Sequence, residues 1–404
     1  MRSCRFTRNT LVLLASAFVL ASAGTAFGDD DSKPGAKVIK TVPVSAGAGS
    51  NHVAINTKTN RIYIANSGFW FFPNSTGGHS LSVLDGNTDK IIATIPITSK
   101  SSIAPFGSGP AASAIDEETN TIYVTTNNGS LSIIDGGTNQ IKSSFVFDTN
   151  NDPQSGDGGL CTQDIVFSKK TKKLYVVNCA KQIDVIDPKR QKVLKVIPDD
   201  NATFLAINQR TNTIYATQYW DGTVWAIDGD TDQVVNTITG VGQPAVPDDC
   251  YLPANNDCTN QSSGLDHIAV DEILNRAYVV GTNDSRFVTI DTKKNKVIDT
   301  KIMSINQYNV AVNSFTHAVY SLSDLGDALD VIDGTTGKLV AQDILVGSQP
   351  TNNSIGDLPQ GIAVNPFTGK IYVADYGNFI SNPEVVSQIV VLKAGEGYPW
   401  VGYR

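Results

Sequence analysis

Four histidines occur in 404 residues, and two of them, His52 and His267, stand two positions ahead of copies of one ten-residue repeat. The equivalent positions before the other copies hold Ala112, Asp164, Phe204, Asn309 and Gly361. One residue earlier stand Asn51, Ala111, Gln163, Thr203, Asp266, Tyr308 and Gln360. Imidazoles and a carboxylate converging on one opening form the donor set of zinc or another divalent transition metal. His52, His267 and Asp164 are therefore the candidate metal ligands and, in a metal-dependent lyase or hydrolase, the candidate catalytic residues. Distance is the obstacle: in a ring of seven copies the first and fifth lie nearly opposite, whereas a metal needs each nitrogen at ~2.1 Å. The competing reading makes these residues the solvated lining of a channel.

Other stretches carry weaker chemistry. "DTNNDPQSGDGG" (148–159) sets oxygens at Asp148, Asn150, Asp152 and Asp157, a calcium-type donor series, but Gly159 stands where an EF-hand loop requires glutamate. "DGDTD" (228–232) falls in a turn shared with the other copies and reads as turn chemistry. No G-x-S-x-G, H-E-x-x-H or Walker A loop is present. "GFWFFPNSTGGH" (68–79) packs Phe69, Trp70, Phe71 and Phe72 between turn residues, where they form either an apolar platform for a partner or an inward plug against loop 240–264.

The elements that position these residues follow from self-similarity. The motif recurs seven times as "AINTKTNRIY" (54–63), "AIDEETNTIY" (114–123), "VFSKKTKKLY" (166–175), "AINQRTNTIY" (206–215), "AVDEILNRAY" (269–278), "AVNSFTHAVY" (311–320) and "AVNPFTGKIY" (363–372). After each tyrosine an alternating run leads to a turn at Asp85, Asp135, Asp187, Asp228, Asp291 or Asp333 and then to a β-branched run. In those turns the aspartate accepts a backbone hydrogen bond from two residues on, and a following glycine supplies positive φ. Each unit is four antiparallel strands, a to d. The seventh lacks strand d, and "AKVIKTVPV" (36–44) matches the missing piece. The expected fold is all-β, a seven-bladed propeller with its last blade closed by the N-terminal strand. It forms one domain over 29–404, with repeats starting near 51, 111, 163, 203, 266, 308 and 360.

The repeat, with "IYVTTN" (122–127), "IYIAN" (62–66) and "IYVAD" (371–375) ahead of "IDG" turns, resembles the YVTN-type, YncE-like propellers. That resemblance covers nearly all of the chain after its leader and implies a secreted, periplasmic or surface-layer repeat protein. It implies little about activity, because shared turn and core residues do not specify a site.

Spacing assigns the faces. Insertions fall only in the b–c and d–a connections, which share one end of every blade, while the a–b and c–d end is trimmed to tight turns. The candidate binding set on the elaborated face is Phe69, Trp70, Phe71 and Phe72 with Trp220, Asp266, Tyr308, Asn309 and Gln360.

Residues 1–28 read as a cleaved Sec-type signal peptide: Arg2, Arg5 and Arg8, the apolar run 11–20, then Ala21, Ala23 and Ala26. No later run is long enough to embed the chain in a membrane. Without the leader, 28 Lys+Arg face 39 Asp+Glu, a net charge of −11. That balance argues against nucleic acid, since stacking aromatics need a basic groove and Lys100 and Arg286 do not supply one. Four cysteines remain, suiting an oxidising compartment. Cys161 and Cys179 are symmetric about the a–b turn of blade 3, and Cys250 and Cys258 close a short span, so Cys161–Cys179 and Cys250–Cys258 are the expected disulfides. The sequence thus reads as a secreted or periplasmic monomer that binds a protein, envelope polymer or small ligand without catalysis. The metal-dependent enzyme is the first alternative and nucleic-acid stacking the second.

Overall fold

The computed structural model describes residues 35–46, 48–68, 78–97, 109–148, 162–178, 180–199, 201–244, 262–303, 306–347, 358–377 and 386–395. They form seven four-stranded antiparallel sheets and no helix, a seven-bladed β-propeller. Six blades use consecutive strands. The seventh combines Pro359–Val364, Lys370–Asp375 and Val386–Ala394 with Ala36–Ala46, whose register runs from Ala36 opposite Ala394 to Ala46 opposite Val386. Pro43 interrupts that strand without penalty because it lies on the blade's outer edge, next to a register shift.

Blade stacking explains the composition of the strands. Strand b has neighbours on both faces, so Thr121–Thr126 is buried throughout. Strand d forms the rim, and Lys296–Ile302 alternates between exposed and half-buried side chains. Among the described residues the apolar side chains fall into seven clusters, one between each pair of adjacent blades. Tyr63, Leu81, Val83 and Ile95 of blade 1, for example, pack on Ile122, Val124 and Ile134 of blade 2.

The motif tyrosines belong to these layers. Tyr175 Oη donates to Gly229 O (3.1 Å) and Asp232 Oδ1 (2.5 Å) in the next blade's c–d turn; Tyr278 reaches Gly334 O (3.3 Å) and Tyr372 reaches Asp89 Oδ1 (3.4 Å) in the same way. They tie blades together.

The six aspartate turns form as expected on the acceptor side: Asp228 Oδ1, for instance, accepts from the N–H groups of Asp230 (2.7 Å) and Thr231 (3.2 Å). The glycine assignment is corrected. Positive φ falls four residues after the aspartate, at Asp89, Asn139, Gln191, Asp232, Asn295 and Gly337. The adjacent glycine supplies space instead, because a Cβ on Gly86, Gly136 or Gly229 would fall on the side chain of Asn60, Asn120 or Asn212.

A further ring closes the trimmed face. Asn56 Nδ2 donates to Asn120 Oδ1 (2.8 Å), Ser168 Oγ to Asn212 Oδ1 (2.6 Å) and Asn365 Nδ2 to Asn60 Oδ1 (2.8 Å), each linking the end of strand a to the positive-φ residue of the next blade's a–b turn. His317 Nδ1 and Asp271 Oδ2 make the equivalent link at 2.7 Å. Between blades 6 and 7 the turn residue is Gly369, and Asn313 Nδ2 has no partner.

Candidate functional site

Strands a line the channel: Ser50–Asn56, Pro110–Asp116, Ile165–Phe167, Ala202–Asn208, Leu265–Asp271, Asn309–Asn313 and Pro359–Val364. Their first residues ring the mouth on the face of the b–c and d–a connections, around a cavity of about 430 Å³. Phe69–Phe72, Asn150, Asp152, Asp157 and the four cysteines of the expected disulfides lie outside the described residues.

The two registers singled out by sequence meet here, and five of their side chains clasp neighbouring blades. Asp164 Oδ1 accepts from Ile165 N, and its Oδ2 accepts from Leu205 N in blade 4, both at 2.8 Å. Thr203 Oγ1 donates to Leu265 O in blade 5 (3.2 Å), and His267 Nδ1 lies 2.9 Å from Tyr308 O in blade 6. Asn309 Nδ2 donates to Gln360 O in blade 7 (2.7 Å). Blade 7 has no side chain at the equivalent place because Gly361 packs on blade 1, where a Cβ would stand 2.8 Å from Asn51 O. His52 adds a link from blade 1, with Nδ1 3.4 Å from Ser113 Oγ in blade 2.

This arrangement does not gather His52, His267 and Asp164 into a metal site. Ala112 is small enough for His52 to reach past blade 2, bringing Nε2 to 4.0 Å from Asp164 Oδ1. His267 turns elsewhere, stacked on Phe204 with ring centroids 3.5 Å apart. Among the described residues no group of three or more His, Cys, Asp or Glu side chains is placed to hold a metal. Asp148, the described member of the calcium-type series, is likewise part of no such group. Burial holds His52 down to about 4 and His267 to about 3, so both imidazoles are neutral near pH 7. Burial pushes Asp164 up to about 7 against its two backbone donors.

What the mouth does assemble is an aromatic wall. Phe204, His267 and Tyr308 run side by side across blades 4 to 6, with the His267 and Tyr308 centroids 5.2 Å apart. Tyr219 and Trp220 extend the wall in an edge-to-face pair at 4.7 Å, and Trp220 is 48% exposed. No protein-family model matches the chain, and no curated protein matches it. The site is accordingly read from its own residues.

Its polar lining is mostly amide. Asn51 Oδ1 and Gln163 Oε1 are buried acceptors without a protein partner, and Asn127, Asn201 and Gln360 join them around the cavity. Among the described residues the lining carries one lysine, Lys181, and one carboxyl, Asp266. Asp266 accepts a hydrogen bond from Thr282 Oγ1, yet burial pushes its carboxyl up to about 7, with Asp324 adding to the rise and Lys181 opposing it. Arg286, considered for a basic groove, is engaged by Asp284 and by Val241 O.

Sequence reasoning missed Tyr219 and Tyr376. Both stand four residues after a motif tyrosine, where strand b returns to the mouth; Ser67 and Asn127 share that position and also line the cavity. That third register was as readable as the two that were used. Among the described residues no helix is long and apolar enough to cross a membrane.

Proposed function

We propose that this propeller is a binding protein of the extracytoplasmic space whose channel mouth takes a neutral ligand with one flat apolar face and several hydroxyl groups. A sugar ring of an envelope polymer has that chemistry. The carrying observation is the juxtaposition of exposed Trp220 and the Phe204–His267–Tyr308 wall with the unpartnered acceptors Asn51 Oδ1 and Gln163 Oε1. An aromatic face accepts the C–H surface of a ring, and buried acceptors without protein donors favour a ligand that brings donors. The volume of about 430 Å³ lies in the range of small-ligand sites. The near absence of formal charge among the described lining residues disfavours an ionic ligand. The leader and the YVTN-type repeat support the extracytoplasmic setting, and the mostly structural use of His52, Asp164 and His267 supports binding over catalysis.

Titration of neutral oligosaccharides against the protein, read by tryptophan fluorescence and calorimetry, tests this reading. Saturable binding is expected, weakened at least ~10-fold in Trp220→Ala, a loss of about 1.4 kcal/mol. Binding of anionic oligosaccharides only, or equal binding by Trp220→Ala, would overturn it.

A further inference from the structure

Among the described residues the channel widens at three levels. The mouth shares His52 and His267 with a middle chamber of about 240 Å³, and that chamber shares Ser113 and Ile165 with a funnel of about 590 Å³ at the trimmed end. Ser113 is out of place there. The residue just ahead of each ten-residue repeat is buried and apolar in six blades, as Val53, Ile165, Leu205, Ile268, Val310 and Ile362, and is a serine only in blade 2. Packing of the inner strands gives no reason for a hydroxyl at that position.

Ser113 stands at one end of a series. Its Oγ lies 3.4 Å from His52 Nδ1, and on the far side of the imidazole His52 Nε2 lies 4.0 Å from Asp164 Oδ1. A nucleophile, a base and a carboxylate in that order are recognised by geometry and role, whatever the fold or chain order. Both separations exceed a finished hydrogen bond, which is common before substrate is bound. Asp164 is held by Ile165 N and Leu205 N, both at 2.8 Å, so the clasp between blades 3 and 4 also fixes the carboxyl beside the imidazole. Burial keeps His52 neutral and able to accept a proton; at pH 8 Asp164, held up to about 7, is mostly ionised and favours the tautomer protonated on Nε2. The two bonds to Asp164 show that main-chain N–H groups of this register turn into the channel. Ser113 pairs with Val124 as Leu205 pairs with Ala216, so its own N–H faces the same space and can donate to an oxyanion formed beside Oγ.

The funnel selects what reaches the serine. At its rim the fifth residue of the repeat is charged in blades 1 to 4, as Lys58, Glu118, Lys170 and Arg210, and apolar in blades 5 to 7, as Ile273, Phe315 and Phe367. The rings of Phe315 and Phe367 meet with centroids 5.2 Å apart, and the wall continues inward through Ile207, Val312 and Val364. The charged groups of the described lining are engaged, Lys169 with Glu117 (3.5 Å) and Glu272 with Gln209 N (2.8 Å). Such a lining suits an apolar chain. We propose that Ser113 is the nucleophile and His52 the base of an esterase site in the channel, with Asp164 positioning His52 and the funnel holding the acyl chain of a carboxylic ester. Ser113 Oγ adds to the carbonyl carbon as its proton passes to His52 Nδ1, and the alcohol leaves with that proton. Water, giving a proton to the same nitrogen, then cleaves the acyl-serine ester; the carboxylic acid departs and the serine recovers its proton. The site lies beyond the aromatic wall, so the ligand reading of the mouth stands or falls separately.

An alkyl fluorophosphonate tests this on the whole protein at pH 8: fluoride leaves as Ser113 Oγ bonds phosphorus and gives its proton to His52. Peptide mass mapping should find one adduct, on Ser113, formed at least ~100-fold faster than on the urea-unfolded chain. Ser113→Val, the residue type of blade 1, should fold, take no adduct and lose hydrolysis of p-nitrophenyl esters. In the native protein the octanoate should exceed the acetate at least ~10-fold in kcat/KM, and Phe315→Lys/Phe367→Arg should abolish that preference. Asp164→Asn should lower kcat and change the His52 tautomer seen by nitrogen NMR, whereas an unchanged tautomer would exclude Asp164 from the series. Absence of an accelerated adduct on Ser113, or undiminished hydrolysis by Ser113→Val, overturns the proposal. Equal rates for the two esters overturn the role given to the funnel.

Discussion

Asp266 shows how one residue couples the ligand mouth to pH. Its carboxyl titrates at about 7 in the folded chain against an ordinary value of 3.8, so between those values the folded state holds a proton that the unfolded chain has lost. That contribution to stability is fully present below about pH 4 and is lost as pH rises through 7. Asp266→Asn should therefore gain on the native protein by roughly 2–3 kcal/mol between pH 5 and pH 8, checked by urea unfolding at both values. His52 and His267 act with the opposite sign: kept neutral at about 4 and about 3, they bind fewer protons than the unfolded chain below pH 6.5, so their burial destabilises in acid. The types and registers of these residues were legible in sequence because repetition marks equivalent positions. Their roles were not, because the hydrogen bond from Leu205 N to Asp164 and the stacking of His267 on Phe204 depend on how adjacent blades meet.

At the scale of elements, the tyrosine motif and the aspartate turns gave the strands and their order because burial on both faces and tight reversal each leave a local signature. The glycines misled, since a glycine that admits the a–b turn of its own blade looks the same in sequence as one that supplies positive φ. The a–b turns offer a direct test of the hydrogen bonds that link one blade to the next. Gly369 occupies, with φ of 68°, the place that Asn60, Asn120, Asn212 and Asn275 hold at φ of 51° to 56°, and Asn313 Nδ2 is left without an acceptor beside it. Gly369→Asn should supply the missing link and restrict the unfolded chain, raising stability by about 1 kcal/mol in urea unfolding. A loss of stability would mean that blades 6 and 7 meet differently from the other pairs.

For the whole molecule, the decisive element is strand Ala36–Ala46. Its outward match to other strands d identified blade 7's missing edge, and the structure seats it against Val386–Ala394 with Val42 in the cluster shared by blades 7 and 1. The closure is reinforced where Lys370 Nζ pairs with Asp89 (2.7 Å), Lys40 Nζ donates to Asp89 O (2.7 Å) and Gly49 N–H donates to Ser387 Oγ (2.9 Å). Removing residues 36–46 should cost at least ~3 kcal/mol from Val42 and Val44 alone, with a matching fall in thermal midpoint, and adding the strand back as a peptide should restore it. An unchanged midpoint would show that the seam contributes nothing to holding the ring. What the sequence left unread at this scale was the sector of Ile273, Phe315 and Phe367, which emerges only when turns far apart in the chain stand side by side.

The same seam sets an order of events. Among the described strands, Ala36–Ala46 is synthesised ahead of all others and pairs with Val386–Ala394, synthesised after all others, so a copy that stops short of Ala394 carries an open edge however well its earlier blades have formed. Synthesis through Ala394 is thereby converted into a physical signal: copies broken off before it retain an unpaired strand for proteases to grip, whereas copies that reach it withdraw that strand.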